Sequence, residues 1–228
     1  MDNGWKFLRG LIGCATWCAL AAAGMTQEPR GQRSARSEER DAIVAAAPPE
    51  LAGLIEVGAV QFVFYDSHDP PPERQRYPAE TRFDVRYRYR STNRWHVYQA
   101  AGRRRVAIRP AFEKITWQPS HTIHLPQRLV GPEFYAEPLV RHEFDHVRIS
   151  VQPDFERRFR EGIAELEVID RTVPPGQTVD AAWVEQQVRC HVEDLFWQTL
   201  QLIEIRYREL DRVTDHGVQP LPAGFFAR

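Results

Sequence analysis

The stretch His142-Glu143-Phe144-Asp145-His146 decides both the fold and the chemistry that this sequence predicts. It is an H-E-x-x-H pentapeptide, the pattern that zinc peptidases use to build a metal site on a helix. Residues i and i+4 lie one above the other on a helix, so His142 and His146 can direct both imidazoles at one cation. Glu143 projects about 100° around the helix from His142. Its carboxylate is therefore expected beside the metal.

The motif lies in the first of three predicted helices. Pro138 suits a first helical position, and the helix is expected to run to about Ser150. Its apolar residues recur at helical spacing, so the metal face is expected to border the core; these residues are Val140, Phe144, Val147 and Val151. A second helix is predicted over about 154–170, and a long third helix over about 178–215.

Upstream of the motif the apolar pattern alternates, which is typical of half-buried strands. Turns are expected at 91–93 and 101–102. The predicted strands are 59–65, 82–90, 95–99, 105–109 and 121–125. The sequence therefore predicts an α+β, zincin-like fold, in which a small twisted sheet over about residues 59–125 precedes the helices. An extended substrate is expected to add as a strand at the sheet edge near 121–125.

The first residues resemble a secretory signal peptide. Lys6 and Arg9 precede an apolar run over 11–23 that ends in small residues, and this combination describes an export signal. The run is shorter than the roughly 20 residues that span a bilayer. We therefore predict a signal peptide at 1–24, a flexible polar linker at 25–50 and one metallopeptidase domain at 51–228, exported to the periplasm or secreted, without stable membrane insertion.

The amino-acid composition limits the classes of binding partner that are expected. The net charge is −1, with 30 basic and 31 acidic side chains, so no electrostatic footprint for nucleic acid is present. A protein or peptide substrate is expected instead. Removal of the signal peptide leaves Cys190 as the one cysteine of the mature chain, which excludes an intramolecular disulfide.

A catalytic zinc usually has three protein ligands and an open position for water. The glycine-extended motif with a third histidine is excluded, because Ile149 and Gln152 occupy the positions it requires. His216, just past the end of the long helix, is the preferred third ligand. The alternatives that remain open are His191 on that helix and the downstream acids Glu161, Glu165 and Glu167.

Three segments in this order resemble a bacterial family of predicted secreted zinc-dependent proteases, catalogued largely as a domain of unknown function. They are residues 122–126 (Thr-Ile-His-Leu-Pro), the H-E-x-x-H motif and the stretch 211–217 with Asp, Thr and His-Gly in a D-x-x-T-x-H-G arrangement. The resemblance covers roughly residues 80–220. It implies that His142, His146 and His216 bind Zn²⁺ and that Glu143 is the catalytic glutamate.

The predicted function is that of an exported zinc metallopeptidase, a hydrolase that cleaves peptide bonds. In this hypothesis Glu143 is the general base that takes a proton from a zinc-bound water. His191 and Tyr207 are candidate donors to the oxyanion, although packing roles are the commoner use of such residues. The alternative is a non-catalytic, zinc-stabilised exported binding protein, in which four protein ligands close the metal site.

Overall fold

The structure is a computed structural model that describes residues 6–12, 41–66 and 78–227. In chain order its main elements are strand β1 (Lys6–Ile12), helix α1 (Pro49–Val57), strands β2 (Val60–Tyr65), β3 (Glu80–Ala100) and β4 (Arg103–Pro126), helices α2 (Pro138–Ser150) and α3 (Pro153–Ala164), strand β5 (Ile169–Thr172) and helix α4 (Ala181–Thr214). The α+β prediction is confirmed, including the H-E-x-x-H helix and the long C-terminal helix.

The sheet is mixed, with the strand order β1-β3-β4-β2 and β5 paired to β4. β1 runs antiparallel to β3, and β5 runs antiparallel to β4. β2 is parallel to β4, with Val60 opposite His121 and Tyr65 opposite Pro126. The segment 121–126 therefore has a strand neighbour in β2, and it is not the sheet edge that the sequence predicted.

The predicted turn at 91–93 is wrong, because β3 continues through it. Ser91 lies opposite Gly10 and Asn93 lies opposite Leu8 in the antiparallel pair with β1. This pairing supplies ladder partners to backbone groups that a turn would otherwise have to satisfy. The side chains of Ser91 and Asn93 are buried. The turn at 101–102 is confirmed, and both of its residues have positive φ.

Of the described residues, 6–12, 86–118 and 153–203 form one of two compact units. A core cluster in this unit joins β3, β4, β5 and α4 through Trp95, Val106, Ile108, Ile169, Val184 and Val188. The second helix is shorter than the predicted 154–170, since α3 ends at Ala164. Ile169 instead enters β5 opposite Ile108 and is buried, so sheet pairing outweighs the helical pattern there.

Of the described residues, 41–66, 78–85, 119–152 and 204–227 form the other unit. Its core packs α1 and β2 against the end of β4 and α2, through residues that include Leu51, Ile55, Phe62, Ile123, Leu125, Phe144 and Val147. Residues 41–45 are helical, and Ile43 is buried in this core. The ordered structure thus includes the last residues of the predicted linker, whereas residues 25–40 lie outside the described ranges.

Of the predicted signal peptide, residues 6–12 are described, and they form β1. The remaining residues of 1–24 lie outside the described part, so export stays a prediction. Within the described ranges, every helix is too short or too polar to cross a bilayer. Cys190 is a free cysteine.

Candidate metal centre

Helix α2 presents the H-E-x-x-H motif as the sequence predicted. The helix begins at Pro138 and ends at Ser150. Its apolar side is fully buried, with Val140, Phe144 and Val147 at 0% exposure. That anchorage leaves His142 and His146 together on another face, with their ring centroids 4.8 Å apart.

Asp211, near the C-terminal end of α4, completes the group. Its Oδ1 atom lies 3.1 Å from Nε2 of His142 and 3.1 Å from Nε2 of His146. Ligand atoms around a tetrahedral zinc, with bonds of about 2.0–2.1 Å, are roughly 3.3 Å apart. The three side chains offer ligand atoms that all lie within 4.8 Å of one another. Their spacing therefore fits one metal ion.

The electrostatics of Asp211 suit a cation. Burial by itself raises the pKa of the carboxyl, but the hydrogen bonds to His142 and His146 outweigh burial and hold that pKa well below its usual range. An ionised carboxylate only accepts hydrogen bonds. The Nε2 atom of each histidine must therefore either carry a proton that it donates to Asp211 or share a bound metal ion with Asp211. The arrangement is one that a bound cation satisfies.

His216, the third ligand preferred from the sequence, lies at the edge of this group. Its Nδ1 atom is 3.8 Å from Oδ1 of Asp211, and 47% of its side chain is exposed. Asp211 belongs to the same D-x-x-T-x-H-G segment as His216, but the sequence did not indicate Asp211 as a ligand. Helix α4 runs to Thr214. Asp211 is therefore held rigidly within a helix, whereas His216 follows its end.

The other candidates for the third ligand are not among the residues that line the cleft containing His142, His146 and Asp211. Glu161, Glu165 and Glu167 are exposed, and His191 is half-buried. All four residues belong to the other compact unit. Burial lowers the pKa of His191, as expected for a neutral histidine packed on a helix.

Glu143 has a buried carboxylate with a specific partner. Thr81, at the start of β3, donates a hydrogen bond from Oγ1 to Oε2 of Glu143 at 2.7 Å. Burial raises the pKa of Glu143, while the two histidines and the Thr81 hydroxyl act in the opposite direction. A carboxyl group whose pKa is raised by burial accepts a proton more readily than an exposed one. Thr81 has no local sequence signal, because it lies 62 residues from Glu143.

These groups line a cleft of about 400 Å³, bounded by the first residues of β3, by α2 and by the end of α4. The lining residues include Glu80, Thr81, Arg82, His142, Glu143, His146, Tyr207, Asp211 and His216. The Tyr207 ring packs on that of His146, with centroids 4.5 Å apart. Burial raises the pKa of Tyr207, so this phenol stays protonated at neutral pH. Of the two candidate oxyanion donors, Tyr207 lines the cleft, although its hydroxyl oxygen is fully buried.

Comparisons of the chain with protein-family models, with curated proteins and with solved structures found no match. The geometry of the site therefore carries the functional argument.

Proposed function

We propose that this protein is an exported zinc-dependent metallopeptidase. The observation that supports it best is the convergence of His142 and His146 on Oδ1 of Asp211, at 3.1 Å each. The buried carboxylate of Glu143 lies on the same helix turn and lines the same cleft. A metal group and an adjacent base in one cleft are the two parts that hydrolysis of a peptide bond requires.

The donor set favours zinc. Two imidazoles and one carboxylate leave a tetrahedral position open, as in catalytic zinc sites. The same ligands also serve non-haem iron(II). Zinc is preferred because H-E-x-x-H places Glu143 directly after a ligand, where a base is useful for hydrolysis. When bound, zinc supplies Lewis-acid chemistry, which lowers the pKa of a coordinated water and polarises a carbonyl.

Glu143 has the role of general base and then general acid. Its carboxylate accepts a proton from the attacking water and returns it to the leaving amine. Thr81 fixes the orientation of the carboxylate through the 2.7 Å hydrogen bond to Oε2. The Tyr207 ring packs on His146, but its hydroxyl oxygen is fully buried, so Tyr207 can donate a hydrogen bond to the developing oxyanion only after its side chain turns toward the cleft. Asp211 neutralises part of the metal charge.

The start of β3 is the proposed site for an extended peptide. Glu80, Thr81 and Arg82 line the cleft. Among the described residues, β1 pairs with β3 over residues 89–95, some distance along the strand from this segment. A peptide that lies along 80–82 can add backbone hydrogen bonds there. The segment replaces 121–125 as the candidate substrate edge.

Metal content and peptide cleavage measured on the full chain test the proposal. We expect about one zinc per chain by elemental analysis and cleavage of a casein or peptide-library substrate. Glu143→Gln should keep zinc and lose cleavage, whereas Asp211→Asn should lose both. Glu165→Gln is the matched control, because Glu165 is exposed and does not line the cleft. Iron in place of zinc, or cleavage by Glu143→Gln at the unmodified rate, contradicts the proposal.

The proximity of His216 favours one second candidate, a non-catalytic zinc-stabilised binding protein. With Nδ1 of His216 at 3.8 Å from Asp211, a small movement brings a fourth protein ligand to the metal and closes the open position. X-ray absorption spectroscopy of the zinc-loaded chain separates the two functions. Three protein ligands plus a water oxygen support the peptidase, and four protein ligands without cleavage support the binding protein.

Export rests on the predicted signal peptide. N-terminal sequencing of the protein recovered from outside the cytoplasm tests it. A new N-terminus near residue 25 is expected. An intact N-terminus on a protein confined to the cytoplasm contradicts export without affecting the peptidase proposal.

A further inference from the structure

Thr214 is buried at 1% exposure at the end of α4. Its hydroxyl oxygen lies 2.8 Å from the carbonyl oxygen of Leu210, 3.3 Å from Nδ1 of His142 and 3.3 Å from the backbone nitrogen of Gly217. One hydroxyl therefore joins the end of α4, the chain that follows it and a metal-binding histidine on α2.

The proton balance of this hydroxyl is determined by its partners. The carbonyl of Leu210 is an acceptor only, and it is the nearest of the three, so the hydroxyl proton is donated to it. The Thr214 oxygen then has two lone pairs that can accept hydrogen bonds and no second proton to donate. The amide of Gly217 is a donor and uses one lone pair. The remaining lone pair faces Nδ1 of His142, and this nitrogen must carry a proton in order to donate.

We propose that Thr214 is a positioning residue that fixes which nitrogen of His142 binds the metal. By accepting a hydrogen bond from Nδ1, it leaves Nε2 unprotonated and aimed at the metal position beside Asp211. This inference rests on the metal site of the proposed function. A histidine ligand whose other nitrogen is hydrogen-bonded is held in one tautomer and one ring orientation.

The backbone of Gly217 also packs closely against the side chain of His142. Its φ is +85°, and a Cβ atom built on it would lie 2.8 Å from Cβ and 2.9 Å from Cγ of His142. Only glycine allows the backbone to cross the ring at this distance. The segment 211–217 therefore supplies a ligand in Asp211, an acceptor for Nδ1 in Thr214 and close packing on the ring in Gly217.

The second motif histidine provides an internal contrast. Nδ1 of His146 is buried and has no hydrogen-bond partner in the described part of the chain. The Tyr207 ring packs on the His146 ring instead. The effect of Thr214 is therefore specific to His142, and a change at Thr214 should alter the coordination of that histidine alone.

Zinc affinity of the full chain, measured by competition with a chelator, tests the role of Thr214. Thr214→Val keeps the shape of the side chain but removes its oxygen, and we expect affinity to fall about 10- to 100-fold, the usual loss for a partner of a metal-binding histidine. Thr214→Ser keeps the oxygen and should stay within about threefold of the unmodified protein on the same scale. Unchanged affinity in Thr214→Val overturns the proposal.

A spectroscopic measurement on the unmodified chain keeps the test independent of folding of the variants. With ¹¹³Cd in the site and ¹⁵N-labelled histidine, scalar coupling to cadmium is expected at Nε2 of His142, together with a slowly exchanging Nδ1 proton. Coupling through Nδ1 overturns the role of Thr214 even if Thr214→Val does not fold. An unmodified chain that binds neither zinc nor cadmium overturns the proposed function as well, whereas tight binding with coupling at Nδ1 overturns this inference alone.

Discussion

Replacement of Thr81 by valine isolates the contribution of one hydrogen bond to the proposed catalysis. Valine has nearly the shape of threonine and no hydroxyl, so the packing at the start of β3 is kept. The lost interaction is the 2.7 Å hydrogen bond to Oε2 of Glu143. A hydrogen bond to a charged group contributes about 1.5–3 kcal/mol. At about 1.4 kcal/mol per factor of ten, kcat/KM should fall roughly 10- to 100-fold.

The assay compares kcat/KM and zinc content in the full chain. Zinc content should not change, because the side-chain hydroxyl of Thr81 is hydrogen-bonded to Glu143, which is not a proposed ligand. Thr81→Ser should retain most of the activity. Thr116→Val is the matched control, since the Thr116 hydroxyl is buried without a hydrogen-bond partner among the described residues. Full activity in Thr81→Val, beside an inactive Glu143→Gln, refutes the reasoning.

Three further predictions concern stability and the site. Gly217→Ala should weaken zinc binding, because the new Cβ would press on His142. Gly224→Ala is the control and should leave zinc binding unchanged, since Gly224 has φ +76° and open space around it. Competition with a chelator measures the zinc affinity of both variants. Phe144→Ala removes a fully buried ring and should lower the free energy of unfolding by about 3–5 kcal/mol, as measured by urea denaturation; a loss below about 1 kcal/mol would contradict the core assignment. Burial lowers the pKa of His121 below its usual 6.5 in the folded state, so as the pH falls the unfolded chain binds a proton at His121 before the folded chain does. The free energy of unfolding that His121 contributes above pH 6.5 should therefore be lost as the pH falls through the folded pKa. His121→Asn should reduce this pH dependence.

The sequence contained the local part of the site. His142, Glu143 and His146 lie within one turn of helix, and their spacing alone predicts that they share a region. The extent of α2 followed from its apolar stripe and from Pro138. These features depend on residues within about four positions of one another, which is the range over which helical periodicity can be read.

The rest of the site depends on contacts between distant segments. Thr81 and Asp211 reach α2 from separations of 62 and 69 residues. Thr81 belongs to no short pattern that predicts its contact, and the D-x-x-T-x-H-G segment that contains Asp211 indicated His216 as the ligand instead. The same cause explains two of the errors in the sheet. Ser91 to Asn93 have turn chemistry but acquire partners in β1, and Ile169 joins β5 because Ile108 is opposite it.

The separation of these segments has a consequence for the timing of activity. The motif helix by itself holds two histidines and a glutamate, but Asp211, the proposed third ligand, becomes part of the protein only when synthesis passes residue 211. Closing loops of this length opposes assembly through chain entropy, so binding of a metal at this group would be a late event in folding. If the chain is a peptidase, a partly synthesised or partly folded copy has no complete metal site and cannot cut the proteins around it. In that case, the distance along the chain between α2 and the end of α4 would restrict cleavage to copies that have folded through α4.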